Sequence, residues 1–203
     1  MESNSTYRKR ARTDLENQWF DAALITVIYY FIYQGINWLV TAFMAEESGL
    51  IFNLVWSLCC FPLIWGFKTL FLDFIRGGQL QSSKLFSGYS DFIRIFIAYF
   101  AYIVIVIFGC LFFLVPGIIF AFMFAQTLFI LKDDKEISAI GALKRSASMM
   151  KGHKLDLFFL YLSFIGWAIL AILTLGIGFI FLVPYVNTTM AHFYEDLKAE
   201  EQR

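Results

Sequence analysis

Histidine, proline, cysteine and charge are all scarce in this chain. Of 203 residues, two are histidine, three proline and three cysteine. The isolated His153 and His192 cannot form a His-Glu-x-x-His metal helix, and neither a Gly-x-Ser-x-Gly elbow nor a phosphate-binding glycine loop is present. The expectation is therefore no catalytic residue, no metal ligand set and no cofactor. Cys59, Cys60 and Cys110 all lie inside apolar runs without the spacing of a zinc site or redox pair, and read as buried small hydrophobes. The 16 Lys and Arg balance 16 Asp and Glu, so no net field recruits nucleic acid. A polar N-terminus followed by an over-long first apolar run makes a cleavable signal peptide an unexpected feature.

What remains is apolar. Hydrophobic residues make up 60% of the chain and aromatic residues 20%, gathered in unbroken runs, which is the composition of a helical membrane protein. The first span is expected from about Phe20 to Met44 and the second from about Leu50 to Phe74. The runs Phe92 to Leu131 and Leu155 to Tyr194 are too long for single crossings at about 1.5 Å per residue. Pro116-Gly117 divides the former; Thr174 to Gly178, with Pro184, divides the latter. The sequence thus predicts an all-α, polytopic helical membrane protein with six transmembrane helices arranged as three hairpins. Its outer connections are Ala45 to Ser48, the turn near Pro116 and the turn near Gly176.

None of those outer connections holds a Lys or Arg, so all 16 basic residues fall on or near the side shared by both termini, and the positive-inside bias makes that side cytoplasmic. Lys68 is the one basic residue well inside a span. Snorkelling explains it most simply; a buried charge paired with Asp73 or Glu195 is the functional alternative. Phe113-Leu114-Val115-Pro116 recurs as Phe181-Leu182-Val183-Pro184, and Phe61-Pro62 holds the equivalent place earlier. Polar segments ending in Asn17, Gly88 and Gly152, residues that tolerate left-handed geometry, precede the odd spans. Residues 1-203 then form one membrane domain with possible tandem units 1-78, 79-133 and 134-203. The prolines at 116 and 184 are expected in the first turns of spans four and six, and Pro62 at a kink in a continuous helix.

The interruption Lys132 to Lys154 carries Ile140, Leu143, Ala147 and Met150 at helical spacing, predicting an amphipathic helix capped by Asp133 and Glu136 and stopped by Gly152. Lys144, Arg145 and Lys151 are its candidates for lipid headgroup contacts. Related interfacial helices are expected over Tyr7 to Gln18 and Gln79 to Ser87. Inside the membrane the candidate polar residues are Gln34, Asn37, Asn53, Lys68, Gln126, Asn187 and His192. Amides and hydroxyls at such depth either line a pathway or tie helices together, the latter being the simpler expectation. His192 and Glu195 can share a helix face, although an interfacial histidine with a local partner is the plainer account.

Leu114-Val115-Pro116-Gly117-Ile118-Ile119, Ala139 to Lys151, Phe164-Ile165-Gly166-Trp167, Leu173 to Gly178 and Val183-Pro184-Tyr185 together resemble an uncharacterised family of small bacterial integral membrane proteins, a domain of unknown function. It is distantly similar to the membrane domains joined to glycerophosphodiester phosphodiesterases. The resemblance implies a bacterial plasma membrane location and supplies no catalytic residues. The expected function is a non-enzymatic accessory, assembly or interaction component, with transport of a small solute or lipid as the alternative. Expected partners are membrane lipids, with another membrane protein or a second copy as the further candidates.

Overall fold

Every regular element among the described residues is helical. The structure is a computed structural model that describes residues 2–43, 46–112 and 114–202. Helix α1 (Asn4–Leu15) precedes α2 (Trp19–Tyr30), which runs through a π-helical turn, Phe31–Gly35, into α3 (Ile36–Thr41). Then come α4 (Glu46–Cys59), α5 (Phe61–Ile75), a 3-10 segment (Ser82–Asp91), α6 (Phe92–Phe112), α7 (Leu114–Met123) and α8 (Thr127–Asp133). The chain ends with α9 (Ala139–Met149), α10 (Lys154–Leu162), α11 (Ile165–Leu173) and α12 (Phe179–Glu201).

Among the described residues five helical stretches are long and apolar enough to cross a membrane: Trp19–Thr41, Ser48–Ile75, Ser82–Leu111, Val115–Asp133 and Lys154–Leu173. Their outward residues, including Phe20, Phe31, Trp38, Leu111 and Ile172, are exposed, far beyond the apolar patches a water-soluble monomer carries. The expected sixth crossing falls on α12. Its second half holds Glu195, Asp196, Lys198, Glu200 and Glu201, so it does not meet the same measure of length and apolarity. The expected outer turn at Ala45 to Ser48 and the Phe113 end of the repeat lie partly outside the described residues.

Helix α5 is the hub. Ten of its residues are buried, from Phe61 to Leu72, and it packs against α6, α8, α12 and the 3-10 segment. Two glycines permit this closeness. A Cβ on Gly66 would stand 2.1 Å from the Leu85 carbonyl oxygen, and one on Gly88 would stand 2.5 Å from that of Pro62. The 3-10 segment therefore lies backbone-on-backbone along α5. Gly88 was expected as a left-handed terminator, as was Asn17. Neither has positive φ, and of the three only Gly152, at φ +93°, ends its segment that way.

Pro62 and Pro116 take their expected places and Pro184 does not. Pro62 sits in the first turn of α5 after a break at Cys60, while Cys60 N–H still donates to Trp56 O and Ile64 N–H to Cys60 O, so α4 and α5 form one bent rod. Pro184 lies inside α12 rather than in its first turn. Pro116 lies in the first turn of α7, as expected. Two further bends were not foreseen, at Phe124 to Gln126 between α7 and α8 and at Ser163-Phe164 between α10 and α11.

Helix α9 also departs from expectation. Its cap is Ser138, whose hydroxyl accepts from Gly141 N–H at 3.0 Å; Asp133 is drawn into ion pairs instead. Its buried face is Ala139, Ala142, Leu143, Ser146 and Met149, whereas Ile140 is 60% exposed. The rotation is set by Ser146, whose hydroxyl donates to Met123 O at 3.0 Å and accepts from Gln126 N–H at 3.2 Å. These groups are left over by the α7–α8 bend, so α9 docks on protein where a bent helix needs a partner.

Candidate functional site

Lys68 projects from α5 into a cavity of about 270 Å³, where it meets Tyr99 and Tyr102 of α6, Thr127 of α8 and Tyr161 of α10. Neither expected partner reaches it: Asp73 binds Lys132 at 3.0 Å, and Glu195 accepts from Arg76 at 2.6 Å. Lys68 and Asp73 are five residues apart on α5, which places them on different faces. Among the described residues the Lys68 ammonium has no hydrogen-bond or ion-pair partner.

A second, smaller space of about 30 Å³ adjoins, bordered by Lys68, Tyr161, Gln126 and Asn187. Gln126 is 2% exposed, and its Oε1 is buried without a partner, although buried acceptors in native proteins are nearly always satisfied. Its amide nitrogen faces Met150 Sδ at 3.8 Å. The hydroxyls of Tyr99, Tyr102 and Tyr161 also have no described protein partner. Tyr99 and Tyr102 were missed as candidates, yet their spacing of three on one helix put both hydroxyls on one face. Lys68 and the hydroxyl-bearing Tyr99, Tyr102 and Tyr161 line the larger space, and Lys68, Tyr161 and Gln126 the smaller one. The Lys68 ammonium and the tyrosine hydroxyls can hold an anion.

The other intramembrane candidates are local. Asn53, Asn187, Thr188 and Thr189 each bond a carbonyl four residues back on their own helix, at 2.8 to 2.9 Å, so they do not tie helices together as expected. Gln34 lies in the π-helical turn, and Asn37 has a buried Oδ1 without a partner. Cross-helix bonds come instead from Trp56 to Tyr33 O, Trp65 to Leu128 O, both 2.9 Å, and Ser146. Ala171 of α11 packs closely inside the fold, where its Cα and Cβ lie within 2.9 Å of any Cβ placed on Gly178. Cys60 is buried, but Cys59 and Cys110 are exposed rather than buried, and all three are free.

Beyond the cavity, one end of the bundle is closed by ion pairs. Asp133, with its side chain 8% exposed, receives Arg76 at 2.6 and 2.8 Å, Lys198 at 2.5 Å and Tyr194 at 3.1 Å. The Asp133 bonds, aided by Glu195, hold the Arg76 guanidinium well above its usual pKa despite partial burial. Arg94 donates to the carbonyls of Leu131, Asp134, Lys135 and Ile137 and to Asp91. His192 binds Asp14 of α1 at 2.6 Å, not Glu195. Of the headgroup candidates, Arg145 is already held by Glu201 at 2.8 Å, which raises its pKa; Lys144 and Lys151 are exposed.

Comparison with curated proteins and with solved structures found no match. Residues 98–201 match the family described as "Protein of unknown function (DUF975)". That region carries Tyr99, Tyr102, Gln126, Tyr161 and Asn187 of the cavity, and the chain belongs to this family.

Proposed function

We propose that the chain is a non-enzymatic carrier that binds a small anionic solute or anionic lipid headgroup at Lys68, within the plasma membrane of a bacterium. In this reading α12 is the sixth crossing, the crossings pair as three hairpins, and α1, α9 and both termini face the cytoplasm. The ion-paired end of the bundle, rich in Lys and Arg, then lies on the side that the positive-inside bias favours. The carrying observation is the unpartnered Lys68 ammonium inside the cavity. A lone charge at such depth costs about 3 kcal/mol even on insertion-based scales, and a counter-anion removes that cost.

The test is thermal unfolding of the purified protein against a panel of small carboxylates and phosphates. A ligand at about 100 times its Kd stabilises the native state by about 2.7 kcal/mol. That shift should vanish in Lys68→Met and survive in part in Lys68→Arg. Stabilisation of wild type and Lys68→Met to the same extent, or by no anion in the panel, refutes the reading.

A further inference from the structure

A second site lies on the outside of the bundle, where α1 crosses α12. Tyr7, Ala11 and Leu15 recur every fourth residue and are buried, with Tyr7 set edge-on to Phe193 at 5.6 Å between ring centres. This fixes the face that the neighbouring pair, Arg8 and Arg12, must present, since residues four apart project together. Tyr185 donates from its hydroxyl to the Arg8 carbonyl at 3.2 Å. Around its ring stand Trp19 at 6.2 Å and Trp167 at 6.4 Å, both edge-on. Between them runs a groove of about 450 Å³, with Arg12 at its rim and Trp19, Trp167, Leu170, Phe181 and Leu182 along its walls.

The charge at this rim is uncompensated. Arg10 is neutralised by Glu2 and Asp196, and Asp14 is occupied by His192. Arg8 reaches only a carbonyl, Ser163 O at 3.3 Å, and its Nε is buried without a partner. Among the described residues Arg12 has no ion-pair or hydrogen-bond partner, and neither do the indole N–H groups of Trp19 and Trp167. One guanidinium fork, Arg12, and two indole-bearing side chains therefore line the apolar trough, with Arg8 one turn earlier on the same face of α1, and guanidinium matches the oxygens of a phosphate. One wall belongs to a stretch long and apolar enough to cross a membrane: Leu170 is 55% exposed and lies within Lys154–Leu173.

We propose that this groove binds one anionic phospholipid, its phosphate held by Arg8 and Arg12 and one acyl chain laid along Trp167, Leu170, Phe181 and Leu182. The position of the groove selects a lipid over a soluble anion. Tryptophan at the rim suits the boundary between headgroup and chain. This site is separate from the Lys68 cavity and shares no lining residue with it.

The experiment is native mass spectrometry of detergent-purified protein titrated with phosphatidylglycerol or phosphatidylcholine. Wild type should retain one phosphatidylglycerol in preference to phosphatidylcholine. Arg8→Gln/Arg12→Gln should weaken that retention about thirtyfold, which corresponds to about 2 kcal/mol for two interfacial charges. Lys144→Gln/Lys151→Gln, which removes two exposed cations elsewhere, should change nothing, and Lys68→Met should retain the lipid. Glycerol phosphate, lacking chains, should not compete; if it does, the site is an anion site and the lipid assignment is wrong. If the double variant does not fold, Arg12→Gln alone must weaken retention several-fold while Arg12→Lys restores part of it. Equal retention by wild type and the arginine variants, or equal binding of the zwitterionic lipid, overturns the proposal.

Discussion

Replacing Asp133 with alanine should be among the most damaging single changes outside the apolar core. The carboxylate sits 8% exposed and accepts two bonds from Arg76, one from Lys198 and one from Tyr194. Asp133→Ala leaves Arg76 with Glu195 and strips Lys198 of its described ion partner. Removing one member of a buried pair costs about 3–5 kcal/mol, because the survivor stays desolvated. Here the survivors are not fully buried: the Arg76 side chain is 34% exposed and that of Lys198 28%. Water screens the freed cations in part, which lowers the cost to about 2–3 kcal/mol. At about 2–4 °C per kcal/mol for a chain of this size, the Tm should fall by about 4–12 °C. Tryptophan emission during heating in detergent reports this well, since Trp65 lies beside the network, with Lys132 Nζ 5.5 Å from its ring centre. The double variant Asp133→Ala/Arg76→Ala should be less unstable than the sum of the singles by about 1 kcal/mol or more. Additive effects, or a loss below about 1 kcal/mol in the single variant, would show that solvent already carries these charges.

Three further outcomes are expected. Gly66→Ala and Gly88→Ala should each cost about 1–3 kcal/mol or more by driving the 3-10 segment off α5, whereas Gly166→Ala, whose Cβ meets nothing within 4 Å, should be close to neutral in thermal unfolding. Ser146→Ala should cost about 1–3 kcal/mol by orphaning Met123 O and Gln126 N–H, with faster hydrogen exchange confined to the α7–α8 bend and α9; uniform exchange along the chain would contradict the docking of α9. In a cysteine-free background, Leu175→Cys, at a position 95% exposed, should react with an impermeant thiol reagent in intact cells, and Ser148→Cys only after permeabilisation; the reverse pattern inverts the proposed orientation.

Features written within a few residues were legible in the sequence, and those written between distant segments were not. Gly152 stops its helix because a left-handed φ is a local demand. Asp133 looked like a helix cap because a capping box is also local, but Arg76 and Lys198, 57 and 65 positions away, claim the carboxylate. Lys68 stood out as a charge in an apolar run, yet its surroundings come from α6, α8 and α10, which no spacing within α5 encodes. The amides and hydroxyls were expected to bridge helices. In lipid their own backbone carbonyls are closer, and Asn187, Thr188 and Thr189 take that option. Arg12 stands in the polar stretch before the first apolar run, but the groove it lines is assembled from α2, α11 and α12.

Arg94 carries a consequence for where this protein can be divided. From the start of α6 it donates to four carbonyls between Leu131 and Ile137, so the end of α8 is finished by a side chain that precedes the family-matched region, 98–201. Arg76, Trp65 and Lys68 also precede it, and each completes something that this region leaves open. The boundary of sequence similarity is therefore not a folding boundary. A fragment cut there should inherit helices able to enter a bilayer, with the Asp133 carboxylate left to Lys198 and Tyr194 alone and with unclosed carbonyls at their base, and should become a cooperative unit again only when residues 2–97 are supplied as a second chain.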